Sequence, residues 1–314
     1  MDHHQIDSAI EEFSIRDFKS SRLEEGYEWL AFTFASQSFD FDRSRSMESM
    51  FEMSESVLKH AYARMQRDAH PWTKSADREI DYIKNISSMT KESLIYDFGC
   101  GNGRHIRSLY NQGYRNVKGY EFINEFVELN SDEIPIDFGD CRTLRLDSKA
   151  DIILCLYDVI GSFADDSENQ KIISAIYHNL KVGGQAVISV LNLDYIIEDT
   201  PRVSAEDEEM LIDKILKLSA SSTMQSSGEI FDSKYLLLDE NSGVVYRKEI
   251  FSGEGLNAEY IIRDKRYTLN EISELFSNVG FRVKTAKYVS VGKWSDDVIL
   301  TSKEGKEILL FVEK

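Results

Sequence analysis

Leu94-Ile95-Tyr96-Asp97-Phe98-Gly99-Cys100-Gly101-Asn102-Gly103-Arg104-His105 is the stretch that decides how this chain is read. An apolar run ends in a carboxylate, glycines follow at alternate positions, and Ile106, Leu109 and Tyr110 then share one face of a helix. The order is strand, tight loop, helix. Glycine admits φ > 0 at such a bend and lets a ligand reach the backbone where a β-carbon would block it. The loop suits a nucleotide-like molecule.

Downstream of it the pattern alternates. Apolar strands are expected at 94–98, 117–120, 134–138, 152–157 and 186–191, with helices at 125–130 and 168–180 and Gly183-Gly184 as the stop after the second. Such alternation implies an α/β fold, a doubly wound, Rossmann-like, mostly parallel seven-stranded sheet. After Pro201 an acidic helix at 205–218 and a Ser-rich stretch at 219–227 lead to strands at 229–238, 244–251 and 259–267. The turn Asp239-Glu240-Asn241-Ser242-Gly243 makes this an antiparallel β insertion. A helix at 269–279, ended by Gly280, and strands at 281–289 and 308–312 close the fold. Upstream, helical spacing is read at 47–67 and 77–86. The expected division is an N-terminal helical segment or lid at 1–90, a core at 91–200 and 265–314, and a substrate lobe at 201–264.

Composition narrows the partners. The 314 residues carry 37 basic and 55 acidic side chains, a formal charge of −18, which repels polyanions. No apolar run reaches the roughly 20 residues of a bilayer span, and Met1-Asp2-His3-His4-Gln5 lacks the order of a signal peptide. The expectation is a cytoplasmic protein that binds neither nucleic acid nor membrane and takes a small neutral or cationic partner. Cys100, Cys141 and Cys155 have no metal-type spacing and read as packing residues. The oligomeric state is left open.

The spacing Gly99-x-Gly101-x-Gly103 departs from a dinucleotide fingerprint, whose third glycine would stand at Arg104. No Gly-Lys-Ser/Thr follows, so a phosphate loop is excluded. Asp97 disfavours a pyrophosphate and suits a ligand bearing an ammonium and a sulfonium. Here the sequence resembles the class I S-adenosylmethionine-dependent methyltransferases, of the small-molecule type with a β insertion before the sixth strand. Asp97 to Gly103 matches the family's first motif, and Glu121 its ribose-binding acid at the end of the second strand. Gly139-Asp140 matches the adenine-contacting motif, with the backbone of Cys141 beside it. Asp151 to Leu156 looks like the fourth strand, and Leu180-Lys181-Val182-Gly183-Gly184 like the turn before the fifth. Arg266-Tyr267-Thr268-Leu269 and Val279-Gly280-Phe281 extend the likeness toward the C-terminus.

The resemblance implies S-adenosyl-L-methionine as cofactor, held by Asp97, Gly99, Cys100, Gly101, Asn102, Gly103, Arg104, Glu121, Phe122, Asp140, Cys141 and Leu156. Methyl transfer from a sulfonium is an in-line displacement, so orientation matters most and a base is needed only for a protonated nucleophile. Tyr157 and Asp158 are the catalytic candidates. Trp72, Phe163, Asn192, Tyr195 and Tyr267 are the candidates for acceptor binding, with Phe39 and Phe41 as part of a closing lid. His70, His105 and His178 read as structural. No resident metal is expected, although Asp158, Asn192 and Asp194 offer oxygen ligands near one edge. The implied activity is methylation of a nitrogen or oxygen of a small molecule; alternatives are a protein methyltransferase and a non-catalytic cofactor-binding partner or sensor.

Overall fold

The computed structural model describes residues 74–204, 206–222, 229–253 and 256–314. Helix α1 (Ala76–Ile86) leads into β1 (Ile95–Phe98), α2 (Arg104–Asn111), β2 (Val117–Glu121), α3 (Asn124–Asn130), β3 (Ile136–Phe138), β4 (Ala150–Cys155), α4 (Asp166–Asn179) and β5 (Leu180–Leu191). Then come β6 (Arg202–Val203), α5 (Glu208–Lys217), β7 (Ala220–Ser222), β8 (Leu236–Asp239), β9 (Val244–Gly253) and β10 (Leu256–Lys265). Helix α6 (Leu269–Val279), β11 (Arg282–Val289) and β12 (Glu307–Glu313) complete the chain. The described residues fall into two compact units. One holds 74–199, 242–244 and 264–314, the other most of 200–241 and 245–263.

The first unit is built on a seven-stranded sheet in the order β11-β12-β5-β4-β1-β2-β3. Strands β1 to β5 run parallel, and β12 lies antiparallel between β5 and β11. Because strand residues alternate between faces, the sheet buries two layers. Phe98, Ile153 and Ile188 pack on one side with Ile172 and Ile176 of α4 and Ile272 and Phe276 of α6. Ile95, Ile152 and Leu309 pack on the other with Ile80 and Ile83 of α1 and Ile106 and Leu109 of α2. Full burial of each such side chain contributes about 1.5–3 kcal/mol. Helix α6 starts at a capping box between Thr268 and Glu271 and stops at Gly280, whose φ is 110°.

Two expected boundaries shift. Helix α4 ends at Asn179, where Leu180 is already extended, and Gly183 donates to the Lys314 carbonyl at 2.9 Å. Gly183 and Gly184 therefore belong to β5 and do not stop the helix.

In the second unit the sheet order is β10-β9-β8-β6, with β7 on β9. The expected strand at 229–238 is mostly two 3-10 turns, Glu229–Phe231 and Ser233–Tyr235, before β8 begins. The Asp232 side chain accepts from the Lys234 N–H and turns the chain there. The short link between β8 and β9 allows only an antiparallel hairpin. Strand β6, however, pairs parallel with β8, and β7 parallel with β9, so this sheet is mixed rather than purely antiparallel.

Candidate functional site

The carboxyl ends of β1 and β2 carry the first half of the site. Leaving β1, the Gly99 and Cys100 N–H groups both donate to the Tyr120 carbonyl, at 2.8 and 3.2 Å. This draws the loop over β2. The Gly101 N–H then reaches Glu121 Oε2 at 2.8 Å, and the Ile123 N–H reaches Oε1 at 2.9 Å, so backbone alone orients that carboxylate. A β-carbon on Gly99 would lie 2.4 Å from the Val159 side chain, whereas one on Gly101 would meet nothing within 4 Å. Gly99 is thus a packing requirement. Gly101 takes φ +55° and faces open space.

Asp97 is 1% exposed, and its Oδ2 is buried with no hydrogen-bond partner. Burial pushes its proton affinity up to about 7, with the Arg104 charge opposing and Glu121 adding. Burial likewise raises Glu121, against the N–H groups of Ile123 and Gly101. On the loop after β3, Asp140 is half-buried and gripped by Arg142, Nη2 to Oδ2 at 2.6 Å, and Arg142 also pairs with Glu168. Hydrogen bonds from Arg142 hold Asp140 below the usual carboxylate range.

The second half is a network that the sequence did not announce. Glu79 of α1 is fully buried, yet it accepts from Ser75 Oγ at 2.5 Å, His105 Nε2 at 2.7 Å, Arg104 Nη1 at 2.8 Å and the Tyr157 hydroxyl. Burial opposes its ionisation, but the bond from His105 and the charge of Arg104 win and hold it at about 2. His105 is pushed down to about 4 by burial and then by Arg104. It is therefore a neutral imidazole at pH 7, and the proton is assigned to Nε2, facing Glu79. Nδ1 then lies 4.0 Å from Asp97 Oδ2, which links the two halves.

Tyr157 follows β4 with φ 60°, and Asp158 with φ 65°, a pair of left-handed residues without glycine. Ser189 Oγ accepts from the Tyr157 N–H at 2.7 Å and pins this turn to β5. The Arg104 guanidinium lies 4.2 Å from the Tyr157 ring centroid, and Trp294 stacks on the same ring at 6.1 Å. Glu307 opens β12 opposite Leu191, at the carboxyl end of β5. It is 1% exposed, and the indole N–H of buried Trp294 faces its carboxyl group and favours the ionised form. Burial pushes Glu307 up to about 8 and the charge of Glu79 adds to the effect, against the Trp294 N–H and the charge of Arg104.

The structure brings Asp97, Gly99, Cys100, Gly101, Asn102, Gly103, Arg104, Glu121 and Phe122 to one strand edge, with Asp140 and Cys141 on the loop after β3. Phe122 is 41% exposed. Leu156 is instead enclosed in the apolar layer. The Tyr157 phenol, held far up by burial, is a donor to Glu79 rather than a base. Two acceptor candidates are already spent. The Asn192 amide donates to the Ser302 and Gly305 carbonyls at 2.6 and 2.7 Å, and its Oδ1 accepts from the Asp194 N–H. Tyr267 is fully buried with its hydroxyl on Asp166 at 2.6 Å. Both hold loops. Phe163 and Tyr195 stay half-buried under Arg142 and Lys306. Trp72, Phe39, Phe41 and His70 lie outside the described residues, as does most of the expected lid. His178 sits in the last turn of α4, away from this edge.

Glu79, Trp294 and Glu307 were missed. A signal existed for two of them. Glu79 shares the apolar face of α1 with Ile83, and Glu307 has the strand parity of buried Leu309 and Phe311.

A family model described as a methyltransferase domain matches residues 96–188. A curated relative, the tRNA U34 carboxymethyltransferase of Helicobacter acinonychis (strain Sheeba), is 26% identical over 125 residues, 36% of this chain. The match spans 46% of that relative, about half its length. Among solved structures, the CcbJ methyltransferase from Streptomyces caelestis superposes with a TM-score of 0.56 at 12% identity, covering 82% of this chain and 95% of that one. An S-adenosylmethionine-dependent methyltransferase from Clostridium acetobutylicum gives 0.50 at 12% identity, covering 82% and 98%. These two likenesses establish the fold.

Proposed function

We propose that this chain, whose residues 96–188 match a methyltransferase-domain model and lie on a seven-stranded α/β sheet, is a class I S-adenosylmethionine-dependent methyltransferase that transfers a methyl group to a nitrogen or oxygen nucleophile of a small molecule. The observation that carries the reading is the pair of carboxylates beside the open face of Gly101. Asp97 Oδ2 is buried and unpartnered, an arrangement that is costly unless a donor arrives. A ligand ammonium is such a donor. Backbone N–H groups of Gly101, Ile123 and Phe122 fix the Glu121 carboxylate, and the lone pair they leave accepts a ribose hydroxyl. The residues present fit the cofactor. Phe122 and Cys141 supply apolar surface for an adenine, and Asp140, though held by Arg142, remains half-exposed beside them.

When bound, the cofactor supplies a methyl group on a sulfonium, a good leaving group. The protein's part is orientation and exclusion of water. Tyr157 and Asp158 shape the turn after β4, and Glu79 fixes Tyr157 through its hydroxyl. The acceptor of the Helicobacter relative is, by its name, a tRNA base. For this chain the charge of −18 favours a small acceptor over RNA, and we retain a protein acceptor as the second choice. Calorimetry with S-adenosylmethionine tests the cofactor: no heat from folded protein at saturating ligand overturns the reading. Labelled cofactor incubated with fractionated cell extract tests the acceptor, since label entering macromolecules alone removes the small-molecule assignment.

A further inference from the structure

We propose that Arg142 is a positioning residue for the cofactor purine: it holds the Asp140 carboxylate with one lone pair left to accept from an amino group at C6, so that the chain takes a 6-aminopurine and rejects a 6-oxopurine. This rests on the methyltransferase reading above and deepens it.

Asp140 stands one strand along from the ribose acid. Glu121 ends β2, and its carbonyl accepts from the Gly139 N–H at 2.9 Å, so the two acids leave neighbouring strands on paired backbone. The Cys141 thiol joins this corner to the glycine loop. It meets the Gly99 backbone and feels the charges of Glu121, Asp140 and Asp97.

The local turn and one arginine fix the acid. The chain folds back at Asp140, whose carbonyl accepts from the Thr143 and Leu144 N–H groups at 3.0 and 3.1 Å. Inside that turn the Arg142 N–H reaches Oδ1 at 2.9 Å, Nε lies 3.0 Å from both oxygens, and Nη2 reaches Oδ2 at 2.6 Å. Three hydrogens thus meet a carboxylate that has about four lone-pair sites, and one site remains. The Asp140 side chain keeps 30% of its surface exposed, through which a ligand reaches it. The guanidinium is held from its other side as well. Nη1 reaches Glu168 Oε2, in the first turn of α4, at 2.7 Å, and the Phe163 ring centroid lies 4.6 Å from the guanidinium carbon. An exposed ion pair is weak when two free side chains must be ordered to make it, but a fork seated between two carboxylates and a ring is already ordered.

Charge then decides which base fits. The groups acting on Asp140 are Arg142, in contact with it, and Lys171 of α4, which also pairs with Glu168. The bonds from Arg142 keep Asp140 below the usual carboxylate range, so at neutral pH it is ionised and can only accept. A C6 amino group donates to it. A C6 carbonyl would set an acceptor against an anion, which forfeits the bond and desolvates both groups. A site built to hydrogen-bond one group rejects the analogue lacking it far more strongly than an apolar pocket does. Without Arg142 the carboxylate turns freely and takes up a proton more readily, and a protonated acid serves either base.

The test uses the full chain and calorimetry at neutral pH with two ligands, S-adenosylhomocysteine and its deaminated form, S-inosylhomocysteine. Wild type should prefer the adenine form by about 10–100-fold, the effect of one hydrogen bond to a charged group. Arg142→Met should bring the two ligands within about threefold of each other by loss of S-adenosylhomocysteine affinity, while the inosine form stays within about twofold of its wild-type value. A merely structural arginine would weaken both ligands alike and leave the ratio standing, and that result overturns the proposal. Should Arg142→Met not fold, Arg142→Lys decides: it keeps the charge without the fork, so the ratio should fall by at least about threefold, and an unchanged ratio overturns the proposal. A folded wild type that binds neither ligand overturns the methyltransferase reading and this proposal with it, whereas S-adenosylhomocysteine bound without preference for the amino group overturns this proposal alone.

Discussion

The glycine loop and the Glu79 network both bury carboxylates at strand ends, but they hold them by different means. Glu121 is oriented by backbone N–H groups, from Gly101, Phe122 and Ile123. Glu79 is held by four side chains, Ser75, Arg104, His105 and Tyr157. Backbone donors come with the fold and survive most substitutions, whereas side-chain donors exist only as a set. The first arrangement suits a ligand with one fixed chemistry. The second suits a surface whose specificity is tuned residue by residue.

The largest expected break in this contrast is Glu79→Ala. It leaves Arg104 buried without its carboxylate, and removal of one partner from a buried ion pair costs about 3–5 kcal/mol. Urea unfolding should show that loss. A drop below about 1 kcal/mol would place Glu79 with ordinary surface pairs and end the idea of an interdependent network. Glu121→Gln is the counterpart. The amide oxygen still accepts one backbone N–H, but the amide NH2 turns a donor toward another, so stability should fall by about 1–3 kcal/mol. Affinity for S-adenosylhomocysteine should fall by about 10–100-fold, since hydrogen bonds to a charged group contribute about 1.5–3 kcal/mol each. Calorimetry beside urea unfolding checks both halves; a stability loss without an affinity loss would reverse the assignment.

How much of this was legible in the sequence follows the same contrast. Asp97 to Arg104 is one continuous segment, and Glu121 and Asp140 stand at the ends of neighbouring strands, so the resemblance to a family with motifs in that order was enough to single them out as candidates. The parallel order was likewise implied by apolar runs alternating with helices. The network joins residues 79, 104, 105, 157, 294 and 307, and no local pattern says that these segments meet. Strand parity put Glu307 on a buried face, but only the placement of β12 between β5 and β11 brings it beside Tyr157 and Trp294. Asn192 and Tyr267 show the converse error. Their position at the edge suggested ligand contact, while the hydrogen bonds that use them up run to Ser302, Gly305 and Asp166, far away in sequence.

A smaller effect sharpens the link between the halves. Asp97 titrates at about 7, and a cationic ligand needs its ionised form. Affinity for S-adenosylhomocysteine should therefore rise with pH through about 7 and weaken by about tenfold per pH unit below it. The sign for stability is opposite. A carboxyl whose folded value is raised contributes stability that is complete below its unfolded value of about 3.9 and lost as pH rises through the folded value. Asp97→Asn should abolish both slopes, binding the ligand weakly at every pH while resisting urea better than wild type at alkaline pH. Calorimetry and unfolding across that window check it, and a wild-type affinity independent of pH would separate Asp97 from the ligand.

The smallest expected effect lies at Asp158. Its φ of 65°, next to Tyr157 at 60°, is a conformation that costs a non-glycine residue about 1 kcal/mol or more. Aspartate tolerates it better than most, so Asp158→Gly should gain at most about 1 kcal/mol in urea unfolding, offset in part by the added freedom of the unfolded chain. The same change removes a carboxylate from the turn that carries Tyr157. If the strain serves to present that turn to an acceptor, turnover falls while S-adenosylhomocysteine affinity stays as in wild type. If Asp158 serves only the turn, stability rises and turnover is kept. The measurement separates the two halves, because Asp158 stands two strands away from Glu121 and reaches it through other groups, the Asp97–His105–Glu79 chain on one side and the Val159 side chain against Gly99 on the other.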